Sequence, residues 1–80
     1  MDYRGYSNRI VEANAIAAGK SDSPGILLGK YMISRDIPVA EVTDYFGVSR
    51  MTIYKWMVGT ATPRKKYIEK IEHLLHIGGV

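Results

Sequence analysis

Arg50, Met51, Tyr54 and Lys55 are spaced so that a helix carries a guanidinium, a thioether, a phenol and an ammonium on one side, with Val58 a turn further on. That mixture suits a surface that approaches a polyanion and the edges of bases. Charge is concentrated around it. Residues 49–68 contain no carboxylate, and residues 47–70 hold Arg50, Lys55, Arg64, Lys65, Lys66 and Lys70 against Glu69 alone. Six cations and one carboxylate leave this stretch at +5 in a chain whose net charge is +3, so the remainder is slightly acidic. Clustered cations mark a footprint, whereas scattered ones mark only solubility. Each residue alone has a plainer account: Arg50 and Lys55 as solvated charges, Tyr54 as cover for a neighbouring helix, Met51 as core at a shifted register. Arg64, Lys65 and Lys66 by themselves are an ordinary surface triplet.

Other chemistry is poorly supplied. His73 and His76, with Glu69 or Glu72, are the nearest approach to a metal site, but two histidines without a third strong ligand make a poor one, and a solvated helix end accounts for them better. No phosphate-cradling glycine loop, nucleophile elbow or acid/base pair is present. The expectation is therefore no enzymatic activity, no catalytic residue, no metal and no cofactor.

The elements that must position the basic face follow from local pattern. Val39, Val42, Thr43 and Phe46 share one helix face and leave Glu41, Asp44 and Tyr45 for solvent. Gly47 stands where a left-handed residue closes a helix, and Ser49 offers an N-cap to the next. In that second helix Ile53, Trp56 and Met57, with Val48 beside them, point inward as core. The Gly47-Val48-Ser49 link is too short for anything but a sharp turn between helices. Upstream, Ser23-Pro24 starts a helix running to about Arg35 that buries Leu27 or Leu28, Tyr31 and Met32. Gly25 and Gly29 weaken it by about 1 kcal/mol each relative to Ala, so tertiary packing must hold it. Ile37 before Pro38 is biased out of helical geometry and separates this helix from the next. Downstream, residues 58–61 form a loop and Thr62-Pro63 repeats the start signal for a last helix over 63–76, with Ile68, Ile71, Leu74 and Leu75 buried and Tyr67 beside them. Nearer the start, Ser7 caps a helix over 8–18 with shallow apolar sides of Ile10, Ala13 and Ala17 and of Val11, Ala15 and Ala18, interrupted by Asn14 and ended by Gly19. Residues 1–5 read as an arm or a frayed terminus. The division is an arm or accessory helix over 1–22, a main domain over 23–77 and a tail over 78–80, all-α with four to five short helices.

The run GVSRMTIYKW, with Gly47, Val48, Ser49, Thr52, Ile53 and Trp56 in place, followed by Gly59, Pro63 and the apolar helix YIEKIEHLL, resembles the helix-turn-helix domain of phage repressor and Cro-like (lambda-repressor-like) regulators. The likeness covers residues 24–76, about two thirds of the chain. The chain departs from that pattern at Thr43, where a small Ala is usual, and at Met57, an apolar residue that calls for an extra neighbour to cover it. The resemblance implies a compact lambda-repressor-like bundle whose second motif helix enters the major groove of duplex DNA with its first turn at the base edges. Carried onto matching positions, Arg50, Met51, Tyr54 and Lys55 read bases, while Ser49, Thr52, Thr60, Thr62, Arg64, Lys65 and Lys66 face phosphate oxygens. It implies a homodimer on a pseudo-palindromic site; no ligand pocket or sensor domain is evident in the sequence, so control by protein concentration rather than by a small-molecule effector is the expectation. An excisionase-like or terminase-small-subunit-like role on DNA fits the same residues. In the contrasting class, Met51, Tyr54, Lys55 and Val58 dock another protein.

Length and composition are consistent with these expectations. Eighty residues, 46% of them hydrophobic, allow one small domain with a marginal core. No cysteine means no disulfide and no thiolate site. Apolar runs are far short of the ~20 residues that cross a bilayer, and no signal peptide follows Asp2, Arg4 and Arg9. A cytoplasmic protein without membrane contact is the expectation, and the resemblance implies a bacterium or its phage as the source.

Overall fold

The computed structural model describes residues 6–77. The expected arm over 1–5 and the tail over 78–80 lie outside the described residues. Five helices follow one another: α1 (Asn8–Lys20), α2 (Pro24–Ser34), α3 (Val39–Phe46), α4 (Arg50–Val58) and α5 (Lys65–Ile77). Their ends are set by local chemistry. The Ser7 Oγ accepts from the Ile10 amide at 3.2 Å, and the Ser49 Oγ accepts from the Thr52 amide at the same distance, each satisfying a donor that the first helical turn leaves open. Gly47 takes φ 71° and donates to the Thr43 carbonyl at 2.7 Å, so α3 closes in the left-handed conformation expected of it.

Two boundaries differ from expectation by more than one residue. Gly19 does not end α1, which continues to Lys20; the chain leaves through an extended Ser21 whose amide bonds to the Ala17 carbonyl. Pro63 is not the first residue of α5. It is buried against α2, where its Cδ would lie 3.2 Å from a Cβ added to Gly25, and that seat holds it outside the helix. The first α5 bonds run from the Tyr67 and Ile68 amides to the Arg64 carbonyl.

Helix α2 lies at the centre, with α1, α4 and α5 packed on it and α3 on α4. Leu28 and Met32 of α2, Ile53 and Met57 of α4 and Ile71 of α5 are fully enclosed, joined by Val39, Val42, Phe46 and Trp56. Of the pair Leu27 and Leu28, the second is core and the first remains at the surface. Among the described side chains of α5 Ile71 is the fully buried one, while Tyr67, Ile68, Leu74 and Leu75 are half-buried.

The glycines of α2 mark where other helices come closest. A Cβ on Gly29 would stand 2.6 Å from Asn14 Nδ2 and 2.9 Å from Met57 Cβ, and one on Gly25 would stand 2.9 Å from Trp56 Cβ. Their low helix propensity thus accompanies a close crossing that no other residue permits. Gly29→Ala gains about 1 kcal/mol of propensity but overpacks the core at a cost of ~1–3 kcal/mol. The melting temperature is expected to fall; a rise would contradict the close crossing.

Tyr6 anchors the start of the described chain. It is buried, and its phenol donates to the Ile37 carbonyl. Burial first, then the neighbouring Tyr54, Asp36 and Glu41, push its pKa up to about 12 from the ordinary 10.0. A folded pKa above the unfolded one contributes stability that is complete below the unfolded value and lost as pH rises through the folded one. Stability measured by urea unfolding should therefore decline between about pH 10 and 12. Tyr6→Phe should flatten that decline, and an unchanged pH profile in the variant would exclude the phenol as its source.

Candidate nucleic-acid interface

The α3–α4 turn sets the direction of α4. Its inner face, Ile53, Trp56 and Met57, is buried, so Met51 and Lys55 point away from the core. Arg50 and Lys55 are exposed, and Met51 is 63% exposed, which excludes a shifted register for it. Tyr54 sits differently. It is half-buried and packs against the core near Tyr6, so it offers an edge to this surface rather than a whole ring.

Trp56 braces α4 from behind. Its ring meets Phe46 edge-on at 5.7 Å and Tyr67 at 5.3 Å, tying α4 to α3 and α5 through one aromatic cluster. The apolar side chain of Met57 is fully buried, its Cβ and Cγ lying against Gly29 of α2, and α1 reaches the Met57 backbone. Asn14, 3% exposed, donates from Nδ2 to the Met57 carbonyl at 2.8 Å and to the Ile26 carbonyl at 3.1 Å. The amides of Gly59, Thr60 and Ala61 all turn back on the Lys55 carbonyl, so Asn14 satisfies a helix-end carbonyl that they leave open.

The hydroxyls expected to face phosphate divide. Ser49 Oγ and Thr52 Oγ1 are 3.0 Å apart and share one hydrogen, which leaves the second hydroxyl hydrogen of the pair for another acceptor. Thr60 Oγ1 instead turns toward the Lys55 carbonyl in a long 3.4 Å bond. Thr52, Thr62 and Arg64 rim a notch of ≈ 260 Å³ floored by Val48, Trp56 and Tyr67. The start of α5 adjoins this notch, and its leading amides and the exposed Lys65 and Lys66 add positive potential there.

Two lysines are fixed by aromatic rings that sequence reasoning did not pair with them. Lys66 Nζ lies 4.9 Å from the Tyr67 ring centre, and Lys70 Nζ lies 5.2 Å from that of Tyr45 while donating to the Tyr45 carbonyl at 3.3 Å. Lys70 thereby ties α5 to the C-terminal end of α3. Tyr45, exposed as its position on α3 implies, is the signal that could have identified this tie.

His73 and His76 are exposed, and no group of three or more metal-ligating side chains occurs among the described residues. None of the helices among those residues is long and apolar enough to cross a membrane. No family model, curated protein or solved structure matches the chain.

Proposed function

We propose that this protein binds double-stranded DNA in a sequence-specific manner and regulates transcription in the way of phage repressors and Cro, with α4 in the major groove. The observation that carries the reading is the outward face of α4: Arg50, Met51 and Lys55 are exposed together, in a stretch without carboxylates, beside a notch rimmed by Thr52, Thr62 and Arg64. A helix about 10–12 Å across fits a major groove ~12 Å wide. Arg50 in the first turn forks onto guanine O6 and N7, Met51 packs on a thymine methyl, and Lys55 reaches a base or phosphate one turn on. Tyr54 contributes from the rim. The spare hydrogen of Ser49 and Thr52, with Thr62, Arg64, Lys65 and Lys66, positions the duplex through its phosphates. The work is done in the cytoplasm of a bacterium or phage-infected cell, by a two-fold dimer on half-sites about one helical turn apart.

Selection of bound duplexes from a random pool tests this directly, a palindromic consensus being the expected result. Arg50→Ala should lose about 1–3 kcal/mol and relax preference at one base pair. Lys65→Ala should weaken all sequences alike and lower the salt slope by about 0.9. Unchanged DNA affinity in both variants would remove the reading. The exposed thioether of Met51 favours a second reading, a docking face for another protein, for which the pool should yield no consensus.

A further inference from the structure

We infer that the outer face of α1 is a two-fold contact with a second copy of this chain, antiparallel and centred on Ile16. Ile16 is 61% exposed, and among the large apolar side chains described only Met51 is more so. Unlike Met51, Ile16 is on a helix that takes no part in the basic surface. Asn14 fixes the rotation of α1, holding the opposite face against α2 and α4 and leaving Glu12, Ile16 and Lys20 outward in one row.

The order of charge in that row selects the occupant. Glu12 and Lys20 stand one turn before and one turn after Ile16, and neither is engaged by another described residue. A two-fold axis through Ile16 that sets the helices antiparallel places each Glu12 against the other copy's Lys20, so two opposite-charge pairs flank an Ile16 to Ile16 contact. A parallel arrangement would set like charge against like. The face is thus complementary to itself in one orientation only, the property a two-fold interface requires. The surface around Ile16 is shallow: Ala13, Ala15, Ala17 and Gly19 surround it, and a Cβ at Gly19 would meet nothing within 4 Å. A groove of ≈ 440 Å³ along the Ala13 and Ala17 side, reaching Val58 and Gly59 at the end of α4, seats the second isoleucine. A helix about 20 Å long buries less than the ~800 Å² per partner of a standard interface, so the association is concentration-dependent.

The inference does not rest on DNA binding, and its test omits DNA. Sedimentation equilibrium of the full chain should show a monomer–dimer equilibrium. Ile16→Lys should weaken that equilibrium about tenfold or more, since it replaces an apolar contact with a repeated charge. Glu12→Lys and Lys20→Glu should each weaken it with unchanged helix content by circular dichroism. Mixed in equal amounts, these two variants should associate again as a heterodimer, because each mutated position then meets its opposite. A chain monomeric at every concentration, a dimer indifferent to Ile16→Lys, or a mixture no more associated than its components would each overturn the inference.

Discussion

Asn14→Asp, a change of one atom and its hydrogens, is expected to destabilise the protein by ~3–5 kcal/mol, out of roughly 4–12 kcal/mol for a domain of 80 residues. The Asn14 amide nitrogen is a donor by necessity, since it faces two carbonyl oxygens, those of Met57 at 2.8 Å and Ile26 at 3.1 Å. A carboxylate there has no hydrogen to give and sets a buried negative charge against both. Its pKa must rise, so the folded variant takes up a proton more readily than the unfolded chain. A raised folded pKa means stability present at low pH and lost as pH rises through it, so the deficit relative to the parent should shrink as the solution is acidified. Asn14→Ala, which leaves the Met57 carbonyl unpaired without adding charge, should cost less, about 1–3 kcal/mol. Thermal unfolding followed by circular dichroism at two pH values separates the cases. A variant with Asp at this position that melts like the parent at neutral pH would mean that α1 is not pinned through this side chain.

Trp56→Ala should remove ~3–5 kcal/mol and leave little cooperative unfolding. The indole is the shared neighbour of Phe46 on α3 and Tyr67 on α5, and its Cβ lies against Gly25 of α2. Its loss opens a cavity where four helices meet, and the short α3 and α4 have too few turns to persist alone. Under the proposed function, DNA affinity should fall with the folded fraction, while Trp56→Phe, which keeps an aromatic ring in the cluster, should retain most of both. An unchanged melting temperature in the Ala variant would refute the bracing role.

Several features of the candidate site were legible before any coordinates. Gly47 and Ser49 act on their nearest neighbours, through a backbone conformation and one hydrogen bond, so residue type and position suffice to read them. The inward set of Ile53, Trp56 and Met57 follows from helical period, and with it the outward placement of Met51 and Lys55. The division of Leu27 from Leu28 was not legible, because both lie near the edge of the same apolar stripe and only the packing of the other helices around α2 decides between them. Pro63 carried a sound start signal, yet its ring serves better in the core than in the first turn of α5, a choice made by residues of α2 far away in sequence.

The amino-acid sequence by itself determined the helices, most of their caps, the inner and outer faces of α3 and α4 and the concentration of positive charge beside them. These depend on interactions within a turn or two of each residue. Tertiary structure alone decided that Asn14 interrupts an apolar face in order to close the end of α4, that Gly29 is a point of contact as well as a weakness, that Tyr54 is half-buried against the core, and that Lys70 is held by Tyr45. Each of these needs a partner distant in the chain, and a donor, a missing Cβ or a cation does not disclose its partner until the helices have packed.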